Sequence, residues 1–115
     1  MELEPKVKAA VKHVVKLLAD HDYDGLVEFT KGVRLPKTEI EYAIDDYGCE
    51  VVMPPDYIFD ELDVIEVEGG SQNEWSVRLP LWTEEEGRSD LSVELSVIDA
   101  GEKGLVVELD NIIVF

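Results

Sequence analysis

The sequence predicts an α+β fold, with N-terminal helices packed on a curved antiparallel sheet of four to five strands. Apolar residues recur with helical spacing through residue 47. From residue 63 the period becomes two. Helices first and a strand meander afterwards is the order of an α+β domain, and a sheet covered on one face gives this clean alternation. With 115 residues, 45% of them hydrophobic, the chain is expected to fold as a single domain spanning 1–115.

The strongest helix is "PKVKAAVKHVVKLLA", residues 5–19. Val7, Ala10, Val11, Val14, Leu17 and Leu18 form one apolar face, and Pro5 suits the first turn. Lys8, Lys12 and Lys16 run along another face, placed to meet solvent or acidic residues of the sheet. A short helix is expected over residues 23–31, stopped by Gly32. In "RLPKTEIEYAIDDYG", Thr38 and Glu41 have capping-box spacing; Ile40, Ala43, Ile44 and Tyr47 give the apolar face, and Gly48 the stop. Residues 49–53 read as extended and 54–62, "PPDYIFDEL", as a proline-initiated helical turn. A strand over 63–68 is closed by Gly69-Gly70. Three further strands follow: Trp75, Val77, Leu79 and Leu81 share one face of the first, Leu91, Val93, Leu95 and Val97 of the second, and Leu105, Val107 and Leu109 of the third.

The net charge is -17, and it is segregated. Residues 1–38 hold seven Lys/Arg against six Asp/Glu; residues 39–115 hold three against twenty-one. Such a field repels nucleic acid and anionic membranes and attracts basic partners. No apolar run approaches the ~20 residues of a membrane-spanning helix. "MELEPKVKAA" has no apolar signal-peptide core, and Cys49 is the only cysteine, so a cytoplasmic protein without disulfides is expected.

Three segments carry a family resemblance: "GVRLPKTEIEYAIDDYG", "MPPDYIFDELDVIEV" and "WSVRLPLWTEEEGRSDLSVEL". They resemble a family of small, single-domain bacterial proteins of unknown function. The element order is similar to the nuclear-transport-factor-2-like (cystatin-like) roll. That resemblance implies a fold and no activity. Some immunity proteins that neutralise bacterial toxins use the same roll.

Among motifs with chemical meaning, "DHDYDGLVEFTK" matches the start of a calcium loop at Asp20, Asp22, Asp24 and Gly25. Position twelve needs a bidentate glutamate and is Lys31. A helix–helix turn in which Asp22 or Asp24 caps the second helix is the better reading. His13 and His21 lack the spacing of a zinc pair, and Cys49 has no sequence-local base. No nucleophile elbow, phosphate loop or dinucleotide fingerprint occurs. No metal or cofactor is expected.

The segment "LWTEEEGRSDLSVEL" reads as a long, charged hairpin loop shaped by Gly87 and Asp90, with Arg88 bridging its acids. The first functional reading is a non-enzymatic protein that binds a basic protein, with a toxin-neutralising immunity protein as one concrete form. Its recognition residues are Trp82, Glu84, Glu85, Glu86, Arg88 and Asp90: an exposed tryptophan among carboxylates suits a Lys/Arg-rich partner. A second reading is a small-ligand or enzymatic pocket between helix and sheet, lined by His13, Tyr23, Tyr42, Tyr47 and Trp75. A third is a homodimer joined through a sheet face where Trp82, Ile98 and Val106 interrupt the polar pattern. The chain is then a monomer or a homodimer.

Overall fold

The computed structural model describes residues 5–31, 34–67 and 73–114. The expected stop at Gly32, the strand end at Glu68 and the Gly69-Gly70 turn lie outside them. Three helices precede an open, antiparallel, five-stranded sheet. Helix α1 (Pro5–Ala19) buries Val7, Val11, Val14, Val15 and Leu18, one position wider than the predicted stripe because Val15 also faces inward. It ends at His21, whose positive φ of 58° lets the Asp22 N–H reach the Leu17 carbonyl and the His21 N–H the Leu18 carbonyl. Asp22 then caps α2 (Tyr23–Thr30) by accepting from the Gly25 N–H at 2.9 Å. A side chain at Gly25 would place its Cβ 2.5 Å from Asp22 Oδ2, so the glycine makes room for the cap.

Helix α3 (Lys37–Tyr47) begins earlier than the capping-box spacing suggests. Pro36 occupies the N-cap position, and its carbonyl accepts from Glu39 and Ile40. Thr38 therefore sits inside the first turn, where its hydroxyl cannot cap, and the box does not form. Gly48, at φ 81°, ends α3 as expected.

The sheet contains β1 (Val51–Val52), β2 (Asp63–Val67), β3 (Glu74–Thr83), β4 (Gly87–Asp99) and β5 (Leu105–Val114). A 3-10 helix, Asp56–Asp60, joins β1 to β2 at the position of the proline-initiated turn. The order is β1-β3-β4-β5, with β2 paired to the other end of the same edge of β3 that β1 occupies. The inward faces are those the alternation predicts: Trp75, Val77, Leu79 and Leu81 on β3, and Leu91, Val93, Leu95 and Val97 on β4, are all buried. They form one cluster with the buried side of α1, with Leu26 of α2 and with Ile40 and Ile44 of α3. Burial of this apolar area is the main stabilising term.

Two irregularities bend the sheet. Pro80 pairs with Ser92 and Trp82 with Arg88, so Ser89, Asp90 and Leu91 of β4 together oppose Leu81. Pro80 has no N–H to give a regular ladder, and a bulge is where a strand tolerates that. Ser89 holds the bulge closed: its hydroxyl donates to the Leu81 carbonyl at 2.8 Å and accepts from the Leu91 N–H at 3.2 Å. On β5, Asp110 is the extra residue between Leu109 and Asn111.

Candidate functional site

The β3–β4 connection is far shorter than a seven-residue loop. Only Glu84, Glu85 and Glu86 form the turn; Gly87 already pairs with Thr83, and Arg88, Ser89 and Asp90 belong to β4. Gly87 takes φ 70°, which permits so tight a reversal, and the Glu86 N–H donates to Thr83 Oγ1 at 3.0 Å. The long-loop expectation fails because polar residues within a strand look like loop residues when only their composition is read.

The turn docks onto the end of α3 and the segment that enters β1. The Tyr47 hydroxyl donates to Glu86 Oε1 at 2.6 Å and accepts from the Asp90 N–H at 3.2 Å. Glu85 Oε1 accepts from the Glu50 N–H, and the Glu84 N–H donates to the Glu50 carbonyl, both at 2.9 Å. Cys49 Sγ lies 3.8 Å from Glu86 Oε1. Two of the glutamates are thus anchored by their side chains and the third by its backbone. The side chains of Glu50, Glu84, Glu85, Glu86 and Asp90 remain exposed and together form a carboxylate patch.

The patch shows its field in its neighbours. The hydrogen bond to Glu86 holds the Tyr47 phenol above its ordinary pKa, with burial adding to the shift. Burial first, then the charges of Glu85 and Glu86, raise the Cys49 thiol, so this half-buried residue stays protonated and is a poor nucleophile. Across α3, burial and then Asp45 and Glu41 raise the Tyr23 phenol.

Arg88 does not bridge the acids. It is exposed, and among the described residues it has no ion pair. It sits on β4, opposite Trp82, with its backbone already committed to the sheet. Trp82 is half-buried rather than exposed; its Nε1 would lie 3.7 Å from a Cβ at Gly87. Trp82 therefore borders the patch instead of standing out from it.

The five residues expected to line a pocket are not brought together. Trp75 is 7% exposed in the core, whereas Tyr42 is 70% exposed on α3. His13 is exposed, with its ring edge-on to Phe29 at 4.7 Å. Tyr23 pairs with His21 at 3.1 Å, and Tyr47 is engaged in the turn. The space between α1 and the sheet is filled by valine and leucine. An open cleft of about 280 Å³ lies elsewhere, between the 58–63 segment and the β4 bulge, with Ile58, Leu62 and Pro80 among its apolar residues and two arginines, Arg78 and Arg88, beside three acids, Glu61, Asp63 and Asp90. Neither histidine nor cysteine is among its lining residues.

The calcium-like loop is likewise dispersed. Asp20 pairs with Lys16 at 2.9 Å, Asp22 caps α2, and Asp24 pairs with Lys37 at 2.8 Å. Lys31 is the left-handed C-cap of α2. Among the described residues, no three His, Cys, Asp or Glu side chains are grouped to hold a metal ion. No helix among them is long and apolar enough to cross a membrane.

Sequence reasoning missed Tyr47 as the anchor of the turn, Ser89 as the clamp of the bulge, and the partners of the lysine row. Lys8 and Lys12 pair with Asp60 and Asp56 of the 3-10 helix, and Lys6 pairs with Asp99. The matching four-residue spacing of Lys8/Lys12 and Asp56/Asp60 was the available signal. Fold and patch together define a small α+β protein with a sheet-borne acidic surface. The chain belongs to a family of domains of unknown function, DUF7668, whose model matches residues 15–115. Comparison with curated proteins and with solved structures gives no match.

Proposed function

We propose that the protein is a non-enzymatic acidic binding protein, and that the surface joining the end of α3 to the β3–β4 turn engages a basic protein. The observation that carries this reading is the patch of Glu50, Glu84, Glu85, Glu86 and Asp90: all five side chains are exposed, hydrogen bonds hold the carboxylates of Glu85 and Glu86, and among the described residues none is ion-paired to Lys or Arg, with His21 lying 3.8 Å from Glu50. Pre-positioned carboxylates lower the ordering cost of binding, and the net charge of -17 speeds encounter with a cation-rich surface. A toxin-neutralising role in the cytoplasm is one form of this activity, since an acidic decoy can occupy a cationic groove. The architecture suits a nuclear-transport-factor-2-like roll: α1 lies on the inner face of a sheet bent by two bulges. Its interior is packed rather than hollow, which favours surface recognition over a ligand pocket.

The test removes charge without removing the anchors. The triple variant Glu50→Gln, Glu84→Gln, Asp90→Asn keeps the Tyr47–Glu86 and Glu85–Glu50 hydrogen bonds, because the Glu50 and Asp90 contacts are made by backbone atoms. Binding of labelled decalysine, followed by stopped-flow fluorescence across a salt series, is expected to slow in the variant and to lose part of its salt dependence. Unchanged association rates at every salt concentration would defeat the proposal.

A further inference from the structure

We propose that strand β2 is a docking edge, onto which an extended segment of the basic partner adds as a further strand of the sheet. This rests on the binding reading above and names a second place where the same partner is held.

Among the described residues β2 pairs only with β3, so its other edge carries N–H and C=O groups with no ladder partner. Every residue of β2 except Val64 is exposed, with Ile65 at 63% and Val67 at 40%, and among the described residues none pairs with this edge. Beyond the edge, register places Val67, Glu74, Ile98 and Val106 in one row across four strands, on the face opposite the helices, apolar except at Glu74. Two large apolar residues on an exposed edge strand are a template for pairing.

Edges of this kind are blunted by charged side chains, proline or a bulge. β2 has no proline and no bulge, its register with β3 being continuous; its charges are Asp63 and Glu66, both acidic, which deter a second copy of this chain but not a basic strand. These charges select the occupant. A second copy fits badly. Antiparallel pairing centred on Ile65 would set Val67 against Asp63 and Val64 against Glu66, and would join two chains of net charge -17. A basic segment fits. Opposite Asp63 and Glu66 it carries lysine or arginine; opposite Val64, Ile65 and Val67 it carries apolar side chains. Backbone hydrogen bonds supply affinity and the side-chain pattern supplies specificity.

The probe is a capped peptide containing Lys-Val-Val-Lys-Val, together with its reversed sequence, since either strand direction can pair. Titration at low salt is read by amide chemical shifts and hydrogen exchange. Shifts and slowed exchange are expected at residues 63–67, with one peptide favoured. Backbone N-methylation of the peptide, which leaves its charge intact, is expected to abolish them. Ile65→Lys with Val67→Lys is expected to weaken binding by at least about tenfold, through like-charge repulsion and lost apolar contact. Ile65→Thr with Val67→Thr keeps strand-forming residues and serves as the second variant. If shifts appear only around residues 84–90, and vanish in the Glu50→Gln, Glu84→Gln, Asp90→Asn variant but not in the β2 variants, the docking edge is overturned while the acidic-patch reading stands. If neither peptide nor decalysine binds, both readings fall. A dimer that the lysine variant dissolves would assign the edge to a second copy, and would also overturn the proposal.

Discussion

Replacing Tyr47 by Phe tests whether one hydroxyl sets the geometry of the acidic turn. The substitution keeps the ring, which packs against the core cluster, and deletes a donor and an acceptor. The lost bonds are a 2.6 Å contact to a carboxylate and a 3.2 Å contact from a backbone N–H. Bonds to charged groups contribute about 1.5–3 kcal/mol when shielded, but Glu86 and Asp90 are exposed and regain water, so about 1 kcal/mol in total is expected. For a domain of this size that corresponds to a fall in Tm of about 4 °C. The Asp90 amide should exchange faster by about the same free energy. The phenol also gives the variant a pH signature. Its folded pKa is raised above the usual 10.0, so its contribution is complete below that value and is lost as pH rises through the folded pKa. Tyr23, Cys49 and Lys37 are raised as well and act in the same direction, so the readout is the difference between the two proteins. That difference should hold up to about pH 9 and shrink as pH rises above 10.0. Thermal unfolding by circular dichroism measures it. Equal Tm values at neutral pH, or a gap that does not change on the alkaline side, would refute the anchoring role of the hydroxyl.

Three other outcomes follow from the packing. Leu95→Ala, at a fully buried position between Val77 and Leu109, should cost about 2–5 kcal/mol in denaturant unfolding; a loss below about 0.5 kcal/mol would contradict the register. Gly25→Ala should gain up to about 1 kcal/mol of helix propensity and lose a similar amount by displacing the Asp22 cap, for little net change. In an Asp22→Ala background only the gain should remain, and a double-mutant cycle showing no coupling would dismiss the cap. Cys49 should react with iodoacetamide more slowly than an unperturbed cysteine near pH 8, and faster once Glu85 and Glu86 are changed to Gln. Mass spectrometry of the alkylated protein reads both, and equal rates in the two proteins would remove the local field as the cause.

Much of the fold was legible because hydrophobic period survives any tertiary rearrangement. Val7, Val11, Val14 and Leu18 could be assigned to one helix face, and Val77 and Leu95 to one sheet face, from spacing alone. The turn was not legible for two reasons. Arg88, Ser89 and Asp90 are polar strand residues at a bulge, and the bulge lies opposite the residue after Pro80, eight positions before Arg88, and is closed by a hydroxyl-to-carbonyl bond that composition cannot reveal. Tyr47 was read as an apolar-face residue, which its ring is; the destination of its hydroxyl, Glu86, lies 39 residues along the chain. The pocket expectation failed for a related reason. Aromatic type says that a side chain can line a cavity, whereas Trp75 and Tyr42 lie in opposite environments set by strand register and helix rotation.

Charge segregation in the sequence acquires its physical meaning only through these contacts. The lysines of the first 38 residues do not neutralise the sheet at large. Lys8 and Lys12 pair with Asp60 and Asp56, Lys16 with Asp20, Lys37 with Asp24, and Lys6 with the far end of β4 at Asp99. Arg34 is drawn to Glu108 and Asp110 on β5, and Arg78 to Glu94 on β4. Exposed pairs of this kind stabilise little individually, but they decide where charge is left over. Counter-charge is spent around α1, the 3-10 helix and the strands that flank them. Among the described residues no Lys or Arg ion pair reaches the carboxylates of the β3–β4 turn, although Arg88 follows the turn on β4 and Arg78 stands opposite Asp63 of β2. At the turn the acids are exposed, and hydrogen bonds hold them together against their own repulsion. A chain selected only for solubility has no need to anchor like charges side by side, because dispersed carboxylates repel neighbouring molecules equally well. A surface shaped to meet a cationic partner does need them fixed, since fixed charges interact with the partner without first being ordered.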